Sequence, residues 1–168
     1  MTATAHPKLA MRPFLPTDTL LLAEIFRASI EGLAADDYGE GQRAAWASAA
    51  GDEAAFGARL GKQLTLLGTL AGSPVGFASL KGADDIDMLY VHPAASGQGV
   101  GSMLVDALAK LAASRGAARL TAEVSDSAQE FFKRRGFVPQ RRNKVLRGDE
   151  WLANTTMEKK LPPKDKPQ

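Results

Sequence analysis

The sequence contains no cysteine, which excludes disulfide bonds and thiolate ligands or nucleophiles. It has only two histidines, and no group of residues shows the spacing of a metal motif, so no metal site is predicted. No apolar run approaches the roughly 18 residues that a membrane-spanning helix needs, and no signal-peptide core is present. We therefore expect a cytoplasmic protein that has no membrane partner.

The 168 residues, 45% of them hydrophobic, are enough for one domain with a sizeable core. Apolar periodicity predicts strands over residues 9–15, 63–70, 75–81 and 85–91, helices over 42–50, 53–60 and 99–115, and a hairpin of 137–146 and 150–160. A helix is also predicted through Leu21, Leu22, Ile25 and Phe26. Residues 1–161 should form the domain, and the charged, proline-rich residues 162–168 a disordered tail.

Three local signals predict where elements begin and turn. Asp18 is the expected N-cap of the first helix. Gly72-Ser73-Pro74 is the expected turn between residues 63–70 and 75–81, and Gly148-Asp149 is the expected turn of the last hairpin. Ser127 and Glu130 have the spacing of a capping box.

The most informative feature is a glycine-rich turn between the strand 85–91 and the helix 99–115. The helix is predicted by apolar residues on one face and ends before a glycine; these are Val100, Met103, Leu104, Leu108, Leu111 and Gly116. The first amides of a helix have no intrahelical partner and carry partial positive charge, so they attract phosphate. Glycine at 97, 99 and 101 lets the main chain approach a pyrophosphate closely, and the Ser102 hydroxyl adds a donor.

Other glycine-rich phosphate loops fit this segment less well. The nucleotide triphosphatase loop is excluded because no lysine follows Gly101. A dinucleotide fingerprint would use Gly97 and Gly99, with Glu123 as its acidic residue, and it stays a weaker alternative. Its third glycine position is Ser102, and residues 93–96 separate the strand from the glycines.

Residues 86–138 resemble the GNAT superfamily of acetyl-CoA dependent N-acetyltransferases. The family signature Gln/Arg-x-x-Gly-x-Gly/Ala, after a strand that ends Val-x-Pro, is matched by Ser96-Gly-Gln-Gly-Val-Gly101, with serine at the first position. The later signature Asn-x-x-Ala-x-x-Phe-Tyr-x-x-x-Gly-Phe is matched from Ser125 to Phe137. Here Ser125 replaces the asparagine, and Phe132 replaces a tyrosine that in many members protonates the departing thiolate.

The resemblance implies an α/β (α+β) fold with a mixed, mostly antiparallel sheet of about six to seven strands, flanked by helices and splayed at its centre. A bulge in the strand 85–91 would open a gap in which the pantetheine arm of acetyl-CoA, the co-substrate, lies like an added strand. The implied coenzyme contacts are Leu89, Tyr90, Val91, Gly97, Gln98, Gly99, Val100, Gly101, Ser102, Ser125, Ser127, Phe131 and Phe132.

Acetyl transfer to an amine also needs a proton acceptor, because a protonated alkylamine has a pKa near 10. Asp87 is the first candidate, since an aspartate is unusual in mid-strand; Asp85 occupies the position where several family members have a catalytic glutamate. The thiolate could be protonated by Tyr90, by Tyr38 or by water. Tyr38 and Trp46 lie in the variable part of the family and are the expected acceptor-binding residues, although both could simply be core.

Two functions therefore remain open. The first is an N-acetyltransferase that acts on a primary amine of a small molecule or a protein, by direct attack in a ternary complex. The alternative is a non-catalytic GNAT-like module that binds coenzyme A for sensing or interaction. Dimers are frequent in the family, so a homodimer is compatible with either function.

Charge bears on partners as well. Residues 131–168 contain 11 of the 21 Lys and Arg but 4 of the 19 Asp and Glu. This basic region is either a solvated surface or a region that attracts the phosphates of the coenzyme. A net charge of only +2 without a recognition motif speaks against nucleic acid as a partner.

Overall fold

The computed structural model describes residues 8–163, which form one α/β domain around a seven-stranded sheet. The elements are β1 (Leu9–Pro13), α1 (Thr19–Leu33), α2 (Glu40–Ala47), α3 (Glu53–Lys62), β2 (Leu64–Leu70), β3 (Ser73–Lys81), β4 (Asp85–Val91), α4 (Val100–Ser114), β5 (Arg119–Ser125), α5 (Gln129–Arg134), β6 (Val138–Arg147) and β7 (Glu150–Lys160).

The sheet has the order β1-β2-β3-β4-β5-β7-β6. All neighbouring strands are antiparallel except β4 and β5, which are parallel. The parallel pair is connected through α4, as a crossover requires. The predicted mixed, mostly antiparallel sheet flanked by helices is therefore confirmed.

Two apolar layers cover the two faces of the sheet. On one face, α4 buries Leu104 and Leu108 against β-strand residues such as Leu120, and α5 adds Phe132. On the other face, α1 and α3 pack around Phe77 of β3. The gap between β4 and β5 lies between these two layers, so the helices of both faces can line it.

A β-bulge at Asp87 interrupts β4. Leu80 of β3 pairs with Ile86 and Ser79 pairs with Met88, so Asp87 is the extra residue. Ile86 consequently packs in the layer of α4, whereas Met88 packs in the layer of α1 and α3. The strand predicted over residues 85–91 is therefore present, and the bulge implied by the family resemblance lies at Asp87.

The predicted capping and turn details differ from the structure in three places. Asp18 is at the N-cap position of α1, as expected, but its carboxylate accepts from Leu15 N and pairs with Arg12, and it makes no capping hydrogen bond to α1. The turn from β2 to β3 is at Ala71 and Gly72, because both residues adopt the positive φ that a tight hairpin turn requires, and Ser73 already belongs to β3.

The expected capping box does not form, because α5 begins only at Gln129. The Ser127 hydroxyl instead donates to Asp37. The final hairpin turns at Gly148 as predicted, where φ is 58°. The expected tail falls mostly on residues 164–168, which lie outside the described part of the chain.

None of the helices within residues 8–163 is both long enough and apolar enough to span a membrane.

Candidate active site

The site begins where β4 and β5 separate. The two strands pair only at Asp85 with Thr121 and at Ile86 with Ala122. Beyond Ile86, the main-chain groups of β4 that face β5 have no strand partner within residues 8–163. A cavity of about 580 Å³ occupies this gap and extends to the glycine-rich turn. Unpaired strand edges on both sides of a gap can bind an extended amide-containing chain.

The glycine-rich turn closes one end of this cavity, which we call the coenzyme cavity. Gly97 and Gly99 have φ values of 79° and 88°, which side chains with a Cβ rarely adopt. Gly99 is the residue before α4, so the turn directs the first amides of a 15-residue helix toward the cavity. A Cβ on Gly101 would lie 3.3 Å from the Phe131 ring, so the missing side chain lets Phe131 pack against the turn.

Twelve of the thirteen residues expected to contact the coenzyme line the coenzyme cavity. They come from β4, from the turn and the start of α4, from the end of β5 and from the segment that follows it. Gln98 is the exception, because it is exposed and does not line the cavity.

A second cavity of about 340 Å³ opens on the other side of the gap and is called the acceptor cavity. Its walls include residues of α3, of the strands β3 to β5 and of the terminal hairpin. The residues that line both cavities form what we call the junction; they are Trp46, Ile86, Asp87, Tyr90, Glu123 and Ser125. Two ligands that enter from opposite sides can therefore meet between β4 and β5.

Asp87 lies at the junction, but its carboxylate is held by other side chains. Arg59 donates from Nε at 2.8 Å and from Nη2 at 3.0 Å, and Gln63 donates from Nε2 at 2.8 Å. Burial would raise the pKa of Asp87, yet these hydrogen bonds outweigh burial and hold the pKa below its usual value. A carboxylate in this state is a weak proton acceptor.

Asp85 lines the acceptor cavity beside the closed end of the gap. Burial raises its pKa, and the neighbouring charges of Asp87 and Glu123 act in the same direction. The hydroxyl of Thr121 donates to it at 3.0 Å and opposes the shift. Asp85 is therefore the more basic of the two aspartates.

Glu123 is a site residue that was not predicted as catalytic or substrate-binding. It lies on β5 directly after the last residue that pairs with β4, is exposed, and lines both cavities. Within residues 8–163 it has no ion-pair partner. Its position on the same strand face as Thr121 and Ser125 was the signal available in the sequence, since strand side chains alternate.

Tyr90 is surrounded by aromatic rings. Trp46 Nε1 donates to Tyr90 Oη at 3.1 Å, and the rings of Phe26 and Phe77 lie 4.6 and 5.8 Å away, centroid to centroid. Burial raises the pKa of Tyr90 to about 12, so its hydroxyl keeps its proton at neutral pH. Because Trp46 occupies the oxygen as a donor, the Tyr90 O–H is left to donate, and within residues 8–163 it has no protein acceptor.

Tyr38 also lines the acceptor cavity, but its hydroxyl is fully engaged. It donates to the Ala153 carbonyl at 2.6 Å and accepts from Asp126 N at 2.9 Å. Burial raises its pKa. Tyr38 therefore joins the segment after α1 to β7 and to the end of β5, and a substrate has no free hydroxyl there.

The three positions that depart from the family signatures, Ser96, Ser125 and Phe132, lie at the cavity walls. Ser125 lines both cavities, and Phe132 is buried under the coenzyme cavity against Phe131 and Phe137. Phe132 has no hydroxyl and cannot supply the proton that the usual tyrosine supplies. Within residues 8–163, no cluster of three potential ligands could hold a metal ion.

Comparison with known proteins agrees with this geometry. The family described as acetyltransferase (GNAT) domain matches residues 34–161. The chain is 31% identical over 149 residues to the uncharacterized N-acetyltransferase YafP of Escherichia coli (strain K12), covering 89% of this chain and 94% of YafP. A crystal structure of a GCN5-related N-acetyltransferase from Rhodopseudomonas palustris is 60% identical, with a TM-score of 0.90, over 96% of this chain and 99% of that one.

A more distant similarity concerns the fold alone. The PaiA N-acetyltransferase of Thermoplasma acidophilum, solved in complex with coenzyme A, has a TM-score of 0.74 at 18% identity, over 91% of this chain and 99% of that one. Acetyl-CoA as the co-substrate fits the matched family. The resemblance noted in residues 86–138 is confirmed: the chain belongs to the GNAT family of acetyltransferases.

Proposed function

We propose that this protein transfers the acetyl group of acetyl-CoA to a primary amine by direct attack in a ternary complex. The observation that carries this proposal is the junction, where a cavity ending at the glycine-rich turn meets a second cavity lined by carboxylates. A direct transfer needs both ligands bound at once, and the two openings allow it. The chain has no cysteine that could carry the acetyl group.

The coenzyme cavity suits acetyl-CoA in three respects. Amides of residues 97–102 would bind the pyrophosphate, with the Ser102 hydroxyl beside them. The unpaired edge of β4 from Leu89 to Val91 would hydrogen-bond the pantetheine amides, with one N–H directed at the thioester carbonyl oxygen. Phe131 and Phe132 would form the apolar wall of the arm. The bound coenzyme supplies an activated acetyl group.

Asp85 is the proposed proton acceptor. Its raised pKa makes it more basic than Asp87, and it lines the cavity from which the amine arrives. A bound water molecule would connect it to the amine at the junction. Glu123 would bind the incoming ammonium group, because its carboxylate faces both cavities.

Asp87 is proposed as a positioning residue. Its three hydrogen bonds tie the bulge of β4 to Arg59 and Gln63 at the end of α3, which keeps β4 away from β5. The sequence-based choice of Asp87 as the first candidate base is thus replaced by Asp85.

Tyr90 is proposed as the proton donor to the departing thiolate. Phe132 cannot donate, and the hydroxyl of Tyr38 is already engaged. The Tyr90 hydroxyl is protonated at neutral pH, lines the junction and is oriented by Trp46.

Release of free coenzyme A tests the proposal directly. Because the protein has no cysteine, a thiol reagent reports only the product. We expect thiol release that depends on both acetyl-CoA and an added amine. Binding of acetyl-CoA without thiol release from a broad panel of amines and peptides would contradict the proposal and favour a non-catalytic binding module. A cytoplasmic location and a homodimer remain predictions from the sequence.

A further inference from the structure

The acceptor cavity contains equal numbers of positive and negative side chains. Arg59, Lys81 and Arg147 are the positive ones, and Asp85, Asp87 and Glu123 are the negative ones. Arg59 and Asp87 neutralise each other through a bidentate pair. Lys81, Arg147, Asp85 and Glu123 form no ion pair within residues 8–163, so two positive and two negative groups remain for a ligand.

The two free positive groups lie near the reaction site. Lys81 is the direct cross-strand partner of Asp85, and its charge acts on the pKa of both Asp85 and Asp87. Arg147, at the end of β6, is close enough for its charge to act on the pKa of Tyr90. Both side chains are exposed, so binding an anion would cost them little desolvation.

A neutral hydrogen-bond donor completes the positive side. Asn154 Oδ1 accepts from Asn143 Nδ2 at 3.0 Å, which leaves the amide nitrogen of Asn154 to donate elsewhere. Asn154 lines the acceptor cavity. An acceptor amine with no anionic group would leave all three of these donors without a function.

From these observations, and building on the proposed function, we propose that the acetyl acceptor is a free α-amino acid, or a similarly compact amino carboxylate, with an apolar or aromatic side chain. Its ammonium group lies at the junction beside Glu123, and its carboxylate binds Lys81, Arg147 and Asn154. Lys81 and Asp85 are cross-strand neighbours, so the acceptor cavity presents a positive and a negative group side by side, as a ligand with both an ammonium and a carboxylate group requires.

The rest of the cavity agrees with this class of substrate. The volume of about 340 Å³ suits a small molecule. Phe26, Trp46, Val145 and Leu152 provide the apolar wall for its side chain. A lysine side chain of a protein has no carboxylate near its amine, so it would leave Lys81 and Arg147 without an anionic partner.

The reaction conserves atoms and charge. The amine nitrogen forms a bond to the acetyl carbon as the carbon–sulfur bond breaks. Before the attack, the ammonium group gives one proton to Asp85, which later releases it to solvent. As the thiolate takes a proton from Tyr90, the second proton of the nitrogen returns to the Tyr90 oxygen. The products are an N-acetyl amino acid, free coenzyme A and one released proton.

The test compares amino acids with amines that lack only the carboxylate. Thiol release is measured for each apolar and aromatic L-amino acid and for the matching amine, such as phenylalanine with phenethylamine. We expect higher kcat/KM for the amino acids. Lys81→Met and Arg147→Met should each reduce the ratio of the two kcat/KM values by about 10-fold, the scale of a charge-assisted hydrogen bond. Lys110→Met, an exposed residue of α4 outside both cavities, should leave the ratio unchanged.

Equal kcat/KM for amino acids and matching amines would overturn this inference and leave the acetyltransferase proposal intact. If Lys81→Met and Arg147→Met leave the ratio of the two kcat/KM values unchanged, the assigned carboxylate site is wrong. Absence of thiol release from every amine would overturn both this inference and the proposed function.

Discussion

Three carboxylates lie at the junction or beside it, and they differ chiefly in the groups that donate hydrogen bonds to them. Asp87 receives three side-chain hydrogen bonds, Asp85 receives one from Thr121, and Glu123 has no ion-pair partner within residues 8–163. These hydrogen-bond partners, and not the residue types, determine which carboxylate positions the strand and which acts as a base. At the residue scale, stability and activity should therefore respond in different ways to substitution of each.

Asp85→Asn should lower kcat about 100-fold, the typical contribution of a general base, while the protein becomes more stable at pH 7. The pKa of Asp85 is raised on folding, so its ionised form is disfavoured in the native state. The protonated Asp85 side chain therefore contributes stability at low pH, and this contribution is lost as pH rises through the folded pKa. The uncharged amide of asparagine avoids this loss of stability. Steady-state thiol release and urea unfolding measure both effects. A stabilised variant with unchanged kcat would remove Asp85 from the mechanism.

Asp87→Asn should instead make the protein less stable at pH 7. The pKa of Asp87 is lowered on folding, so its stabilising effect is present at neutral pH and disappears as pH falls through the folded pKa. We expect a loss of about 1 kcal/mol in the free energy of unfolding at pH 7, because the pair with Arg59 is partly exposed. This loss should shrink in acid. Urea unfolding at pH 7 and pH 3 tests the sign, and a loss that grows in acid would contradict it.

Tyr90→Phe should reduce kcat about 10-fold to 100-fold with little change in the dissociation constant of acetyl-CoA. Only the hydroxyl is removed, while the ring still packs on Phe26 and Phe77. Stopped-flow thiol release and equilibrium binding separate the two quantities. Trp46→Phe is the matched control: it removes the hydrogen bond that orients the hydroxyl and should cause a smaller decrease. Full turnover by Tyr90→Phe would assign the proton to water.

At the scale of elements, the turn before α4 offers a controlled substitution. Gly97 and Gly116 have φ values of 79° and 86°, and a Cβ on either would meet no atom within 4 Å. Alanine at either position should therefore cost a similar amount of stability, about 1 kcal/mol. Gly97→Ala should weaken acetyl-CoA binding about 10-fold, and Gly116→Ala should leave it unchanged. Calorimetric titration with acetyl-CoA measures the affinity of both variants. Equal affinities would contradict the assigned phosphate site.

The elements that the sequence predicts well are those with local causes. The helix Val100–Ser114 was predicted over 99–115 because apolar spacing and the glycines at both ends are contiguous in the chain. The bulge at Asp87 depends on pairing with β3, and the Arg59–Asp87 pair joins residues 28 apart. The residues themselves contained no local signal for either, so the bulge was expected only from the family resemblance, and the Arg59–Asp87 pair was not expected.

The binding residues show the same contrast. The coenzyme cavity follows from a turn and a strand that are neighbours in sequence, and it was largely predictable. The acceptor cavity combines α2, α3, β3 and the terminal hairpin, and only the folded chain brings Lys81, Arg147 and Asn154 together. From the sequence, Glu123 was considered only as the acidic residue of the alternative dinucleotide site, whereas the separation of β4 and β5 places it between two cavities.

For the whole molecule, coenzyme binding should stabilise the fold. Acetyl-CoA at about 100 times its dissociation constant should add about 2.7 kcal/mol, which raises the Tm by about 5–10 °C in a domain of this size. S-acetylpantetheine, which lacks the phosphates, should give a clearly smaller shift at the same concentration. Differential scanning calorimetry checks this, and equal shifts would show that the turn at residues 97–102 does not bind phosphate.

The central claim is that the sheet binds a thioester between two separated strands, with its phosphates on the first amides of α4. A crystal structure of the complex with acetyl-CoA tests it most directly. We predict the pyrophosphate within hydrogen-bond distance of amides in residues 97–102, and the acetyl group between β4 and β5 facing Tyr90 and Glu123. Coenzyme bound elsewhere, or an acetyl group directed away from the acceptor cavity, would contradict the account.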